Sequence, residues 1–196
     1  LIVSDLSPKV EDSPVLKKWQ QQIPNILQEI RQEPSFTTRW RLGYSFFPSN
    51  NQTVGINLGV EDIFLGDQGL TISADYYTAE EREALGTDLR YYLLALGNYL
   101  NIAPSIGYRY IATEDYETDG IKLGVKLMLV VSRTGAGDIS LTQSFIAPGT
   151  EDEVSITTLS VGYAIARQIR LGTDIEQQNS KANKDSRISL VLEWIQ

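Results

Sequence analysis

Apolar and polar residues alternate through most of this chain with a period of two, the spacing of a strand whose two faces meet different surroundings. Within 37–47, Trp40, Leu42, Tyr44 and Phe46 share one side, and Arg39, Arg41, Gly43 and Ser45 share the other. Within 120–132, Ile121, Leu123, Val125, Leu127, Leu129 and Val131 alternate with Lys122, Gly124 and Lys126. The glycines keep company with the charges. A solvated outer face has little use for glycine, which weakens a strand and packs nothing. A narrow lumen has a use for it, because small residues there make room for long polar neighbours. The pattern therefore predicts an all-β closed sheet with its charged, glycine-bearing face inward and its apolar face toward lipid.

Ten strands follow from this alternation, at 37–47, 53–63, 69–77, 87–96, 99–112, 120–132, 138–146, 154–165, 168–177 and 186–194. The connectors at 48–52, 78–86, 113–119, 147–153 and 178–185 read as the longer, more polar set, and those at 64–68, 97–98, 133–137 and 166–167 as the tighter one. Every second connector of an up-and-down antiparallel barrel lies at the same end, so the long loops are expected on one rim and the short turns on the other, beside both termini. The long set carries Glu80, Glu81, Glu83, Glu114, Asp115, Glu117, Asp119, Glu151, Asp152 and Glu153. That rim is expected to be acidic, as a solvated edge or as a mouth that attracts cations. Ahead of the strands, 1–13 reads as a flexible lead-in. The segment 14–34 reads as an amphipathic helix with Leu16, Trp19, Ile23, Leu27 and Ile30 as its stripe, interrupted by Pro24. The barrel domain is then 35–196.

Carried along the strands, the alternation assigns the charges Arg39, Arg41, Glu61, Asp75, Asp88, Arg90, Arg109, Lys122, Lys126, Arg170, Asp174, Glu176, Arg187 and Glu193 to the lumen. Charges of both signs in a confined, poorly hydrated space predict an ion-pair network and an occluded or very narrow pore. The apolar face carries no charge in these stretches, as lipid requires, since a charged side chain at mid-bilayer costs about 2–4 kcal/mol in a barrel. Trp40, Phe46, Tyr76, Tyr110, Tyr163 and Trp194 lie toward strand ends, where interfacial girdles form. Three positions strain the pattern. Gln143 falls on the lipid face, Pro104 interrupts the fifth strand, and parity slips around Thr157 and Thr158, where a β-bulge is expected.

The chain has 196 residues, a net charge of −8, no cysteine and no histidine. No clustered basic surface is present for nucleic acid. No stretch approaches the roughly 18 consecutive apolar residues of a membrane-spanning helix. Without histidine the chain lacks the usual general base for a Ser or Cys nucleophile and the commonest metal ligand. No glycine-rich phosphate loop or metal-ligand cluster is present. The expectation is a protein that is not an enzyme, with no catalytic residue, no metal and no cofactor.

The last segment, Arg187-Ile-Ser-Leu-Val-Leu-Glu-Trp194, resembles the closing strand of bacterial outer-membrane β-barrels, in which alternating apolar residues end in an aromatic. The segment Asn101-Ile-Ala-Pro-Ser-Ile-Gly-Tyr-Arg-Tyr110 is similar to strands of the same class. The resemblance spans about 36–196 and implies a place in the bacterial outer membrane, with any secretory signal already removed. It also implies reading of Leu190, Leu192 and Trp194 by the barrel-assembly machinery. The role expected is structural, or porin-like passage of small solutes through a narrow channel. The helix at 14–34 is expected to pack beneath the periplasmic mouth or against a protein partner. The alternative is a soluble, lipocalin-like barrel that binds a small apolar ligand.

Overall fold

The computed structural model describes residues 33–49, 53–66, 68–132, 136–181 and 183–195. The helix expected over 14–34 lies outside the described residues, apart from its last two positions. Ten strands form one sheet: β1 (Arg39–Phe47), β2 (Thr53–Phe64), β3 (Leu70–Ala79), β4 (Arg82–Tyr91), β5 (Leu100–Ala112), β6 (Glu117–Val130), β7 (Gly137–Ile146), β8 (Val154–Ala164), β9 (Ile169–Asn179) and β10 (Lys184–Ile195). Each pairs antiparallel with its neighbours in sequence, and β10 closes on β1 from Arg39 opposite Ile195 to Phe46 opposite Ile188. Closure leaves no edge strand with unpaired backbone groups, as a hydrocarbon environment demands.

The connectors differ from the expected alternation of long and short. The segment 78–86 is no loop, because β3 runs on to Ala79 and β4 starts at Arg82, leaving only Glu80 and Glu81 in the turn. Glu81 takes a positive φ of 58° to make it. The cluster of glutamates suggested a loop, yet Arg82, Ala84 and Gly86 carry on the inward parity of Asp88 and extend the ladder. Conversely, the tight turn expected at 97–98 is part of an eight-residue connector, 92–99, that folds over the barrel mouth. The connectors after β1, β3, β5, β7 and β9 share the far rim. Those after β2, β4, β6 and β8 share the terminal rim with both ends of the barrel.

The outward face is the apolar one. Leu42, Val54, Leu58, Ile106, Ile121, Val161, Leu190 and Leu192 stand exposed around the barrel. Trp40 and Trp194 are cross-strand neighbours on this face near the terminal rim. A soluble lipocalin-like barrel is thereby overturned, because such a barrel keeps its apolar side chains inside and this one turns them out.

The three awkward positions resolve separately. β8 has no bulge: Ile156, Thr157, Thr158 and Leu159 pair in unbroken register with Ser144, Gln143, Thr142 and Leu141. Parity is kept because Val154 and Ile156 point inward and are buried. The irregularity lies instead in β2, where the register with β3 shifts between Val60 and Ile63 and Asp62 adopts a φ of 56°. Pro104 sits in an unbroken β5, exposed and just past Ser105, where the ladder to β4 ends, so its missing N–H costs no bond there. Gln143 is satisfied on the outer surface itself: its amide donates to Ser155 Oγ at 2.9 Å and accepts from Thr157 Oγ1 at 2.6 Å.

Candidate functional site: the charged lumen

Glycine makes the inside of the wall thin enough to hold long side chains. A Cβ on Gly172 would sit 2.9 Å from a carboxylate oxygen of Glu193, and one on Gly86 would sit 2.8 Å from the Arg109 guanidinium and 3.0 Å from Asp75. At Gly162 the space is taken by the Arg170 guanidinium and Asp138. At these three positions the missing side chain leaves room for a neighbour's ionic head, whereas at Gly43 and Gly55 it lets the backbone of the next strand approach.

The fourteen charges assigned to the lumen from the alternation all point inward and meet across it. Around the β2 bulge, Glu61 and Asp62 form an acidic hub. Lys126 Nζ lies 2.6 Å from Glu61, Arg90 lies 3.1 Å from Glu61 and 3.3 Å from Asp62, and Arg39 lies 3.4 Å from Glu61 and 3.6 Å from Asp62. Arg41 spans from Asp174 at 2.8 Å to Glu193 at 3.1 Å, and Glu193 also pairs with Arg170. Lys122 reaches Asp88 at 2.8 Å. Nearer the far rim, one nitrogen of Arg109 donates to both oxygens of Asp75, at 2.9 and 2.8 Å. There too Arg187 pairs with Glu176 at 2.7 Å, with its guanidinium 4.3 Å from the Tyr77 ring centre.

Four lumen charges were missed in the sequence. Asp62 is fully buried because the bulge turns it inward beside Glu61, against simple parity. Two adjacent acids inside an apolar-alternating strand were the available sign. Arg82 and Asp185 pair with each other at the far rim, in stretches that read as polar loops. Asp138 opens β7 and pairs with Arg39 and Arg170. Among the described residues the lumen therefore holds nine cations, Arg39, Arg41, Arg82, Arg90, Arg109, Lys122, Lys126, Arg170 and Arg187. Facing them are nine acids, Glu61, Asp62, Asp75, Asp88, Asp138, Asp174, Glu176, Asp185 and Glu193, each in an ion pair with at least one of those cations.

Apolar clusters close both ends of this network. Phe47, Tyr77, Ala84, Ile111, Ile146, Val154 and Ile156 pack inside the far rim. Above them Arg82 lies 5.1 Å from the Phe47 ring centre. Phe36, Tyr92, Leu96, Ala103, Met128 and Val130, with Phe64 against them, pack inside the terminal rim. Between the seals lies a polar cavity of about 110 Å³, with Ser73, Ser140, Thr142, Ser144, Thr158 and Ser160 among the residues that line it.

The lumen is neutral, so the chain's negative charge resides elsewhere. The acidic residues of the far-rim connectors and strand ends, from Glu80 to Glu153, far outnumber Lys181 and Lys184, the exposed cations described on the same rim. Lys181 pairs with Glu151 at 2.6 Å, and Glu153 accepts from the Gly149 N–H at 2.6 Å. Among the described residues, no three of these acids come together to hold a metal ion. Leu190, Leu192 and Trp194 stand on the outer face of β10, exposed toward lipid.

No family model matches the sequence, and no curated protein matches it. Solved structures similar in fold include the KdgM porin, at 11% identity and a TM-score of 0.47 over 80% of this chain and 98% of that one. The translocator domain of the autotransporter NalP from Neisseria meningitidis is 9% identical, with a TM-score of 0.44 over 94% of this chain and 97% of that one. The Salmonella typhi outer membrane phospholipase is 12% identical, with a TM-score of 0.37 over 86% of this chain and 96% of that one. A porin, a translocator and a phospholipase share one fold, so none of those activities transfers by likeness. What the chain's own closed sheet, apolar exterior and charged lumen establish is the architecture of a bacterial outer-membrane β-barrel.

Proposed function

We propose that the protein resides in the bacterial outer membrane as a barrel with a structural role, passing small solutes at most, and that its lumen is held shut by the ion-pair network rather than kept open as a pore. It carries out no catalysis in this reading and needs no cofactor. The observation that carries it is the matched set of nine lumen cations and nine lumen acids between two apolar seals. An open channel keeps its charges hydrated and apart, whereas here they lie in direct contact across the barrel. Desolvated charges are held stably only when paired and hydrogen-bonded, so opening the lumen would have to break many pairs at once.

The partners follow from the surfaces. The bilayer covers the apolar exterior, and the barrel-assembly machinery reads β10 through Leu190, Leu192 and Trp194 during insertion. The segment 14–34 engages a protein partner or the terminal mouth. Planar-bilayer recording tests the reading. Little or no conductance is expected, and large, stable, porin-sized steps would overturn the occluded lumen.

A further inference from the structure

The lumen wall is uneven. Among the described residues β8 is the one strand that sends no charge inward, and β7 sends only Asp138. Between that aspartate and the apolar far-rim seal, the inward positions are Ser140, Thr142 and Ser144 on β7, and Thr158 and Ser160 on β8. Ser140 lies opposite Ser160 and Thr142 opposite Thr158. Two rungs of facing hydroxyls result, roughly 6.8 Å apart along the strands. The long charged side chains of the other strands pair among themselves and leave these short ones uncovered, so the polar cavity of about 110 Å³ lies against them.

Ser140 and Ser144 are only 4% and 2% exposed, yet neither they nor Thr142 and Ser160 make a hydrogen bond to another protein group through their hydroxyls. Their oxygens open on the cavity instead of being sealed in the wall. Across the lumen, Asp75 keeps 40% of its side chain exposed, although that of its partner Arg109 is at 4%. The Asn57 amide nitrogen donates to Ser45 Oγ at 2.8 Å, which leaves its carbonyl oxygen to accept. The charges that line the cavity balance, five cations against five acids, and every one already belongs to an ion pair.

The guest these groups suit is uncharged. A charged one would enter a balanced wall as an unpaired charge in a confined space, which is costly. Hydroxyls both donate and accept, so a ladder of them is matched by a molecule with hydroxyls of its own, while Asp75 and the Asn57 carbonyl oxygen accept from others. The threonine methyl groups and Ile156 belong to the same wall and offer apolar surface to a carbon chain, where water has none to present. At roughly 10–15 Å³ per water the cavity holds on the order of seven to eleven, and a polyol of erythritol size displaces much of that.

We propose that the β7–β8 hydroxyl ladder is a binding site for a small uncharged polyol, held between the facing hydroxyls and Asp75. The proposal deepens the closed-lumen reading and rests on it for the paired network opposite the ladder. The test is solution NMR of the full chain in detergent micelles. Erythritol is supplied in two ways, through refolding from urea and after folding is complete. Saturable shifts are expected at the Ser140, Thr142, Thr158 and Ser160 amides, and none at Thr150 on the exposed far-rim loop. Thr142→Val with Thr158→Val keeps the shape of both side chains and removes one rung; it is expected to weaken the apparent affinity at least about tenfold.

Shifts that grow linearly with erythritol, or that are unchanged in this variant, would overturn the site. So would the absence of saturable shifts in both ways of supply, which leaves the cavity to water alone. Sodium formate or ammonium chloride giving the saturable shifts in place of erythritol would overturn the uncharged class. If the double variant gives no heat-modifiable barrel, Ser140→Ala carries the same test with an expected loss of about threefold in affinity, and an unchanged affinity counts against the proposal. Bilayer conductance separates this site from the closed lumen. Porin-sized steps with erythritol binding intact would overturn the closed lumen alone, and absent binding with no conductance would overturn the site alone.

Discussion

Lys126 shows what a lumen charge contributes. Its side chain is 2% exposed and holds the adjacent acids Glu61 and Asp62 against each other's repulsion. Replacing it by alanine leaves two neighbouring carboxylates short of a cation in a place water reaches poorly, and removing one partner of a buried pair typically costs about 3–5 kcal/mol. Lys181 makes an equally short contact with Glu151, but its side chain is 61% exposed at the rim. Exposed pairs are worth roughly 0–1 kcal/mol, so Lys181→Ala is expected to be nearly silent. Reversible urea unfolding in detergent compares the two, and equal effects would mean that the lumen pairs are solvated. At the far rim, burial pushes the Tyr116 hydroxyl up to about 12. That hydroxyl donates to Gln178 at 3.1 Å. The folded barrel favours the neutral phenol, so this contribution is complete below the ordinary tyrosine value of about 10 and is lost as pH rises through about 12. Alkaline titration of tyrosine absorbance, compared with Tyr116→Phe, should show one late-titrating phenol missing in the variant.

Strands β7 and β8 show how one element can carry polar residues on a lipid face. Gln143, Ser155 and Thr157 spend their hydrogen bonds on one another across the ladder, so the bilayer meets a satisfied group rather than an open donor. Replacing both partners of a buried hydrogen bond by apolar groups of similar shape is nearly neutral or stabilising, whereas removing one leaves an orphan worth about 1–3 kcal/mol. The triple variant Gln143→Leu, Ser155→Ala and Thr157→Val, which removes every member, is therefore expected to be at least as stable as the parent, and Thr157→Val alone less stable. The reverse order in urea unfolding would mean that the group serves a contact on the outer surface. In β2 the bulge acts on the lumen by setting two acids side by side where strict alternation supplies one. Three cations, Arg39, Arg90 and Lys126, answer them from three strands.

For the molecule as a whole, the network is the obstacle to passage, and thinning it should loosen the lumen. Arg41→Ala removes the bridge between Asp174 and Glu193, and Arg170→Ala removes a partner of Glu193 and Asp138. Each is expected to raise any residual bilayer conductance above that of the parent, and an unchanged trace in both would place the barrier at the apolar seals instead. A chain beginning at Ser35 keeps every strand and the Ser35 ties to the 92–99 connector. It should fold to a heat-modifiable barrel on a detergent gel, and failure to do so would make the preceding segment part of the folding unit. The concentration of acids on the far rim leaves one end of the barrel strongly negative and the other near neutral among the described residues, an asymmetry that orients the molecule in any field of charge.

The alternation along each strand was enough to assign the two faces and to propose fourteen charges for the lumen, because side-chain direction in a strand is a local property that follows from parity alone. The resemblance of the closing strand added the class of barrel. Other features depended on closure. Asp62 turned inward only because β2 bulges against β3, and no periodicity places a bulge. Arg82 and Asp185 looked like loop residues because their stretches are polar, yet each found its counter-charge on a strand distant in sequence. Val154 and Ile156 broke the expected polar parity of the lumen because strand ends that meet across a closed barrel can pack as an apolar seal. Phe36 preceded the first strand and had no pattern to belong to; what gave it a place was the mouth formed when the 92–99 connector folded over. The sequence determined which way each side chain faces along a strand, while the tertiary structure decided which charges meet and where the lumen ends, since those relations join residues separated by as much as the whole barrel.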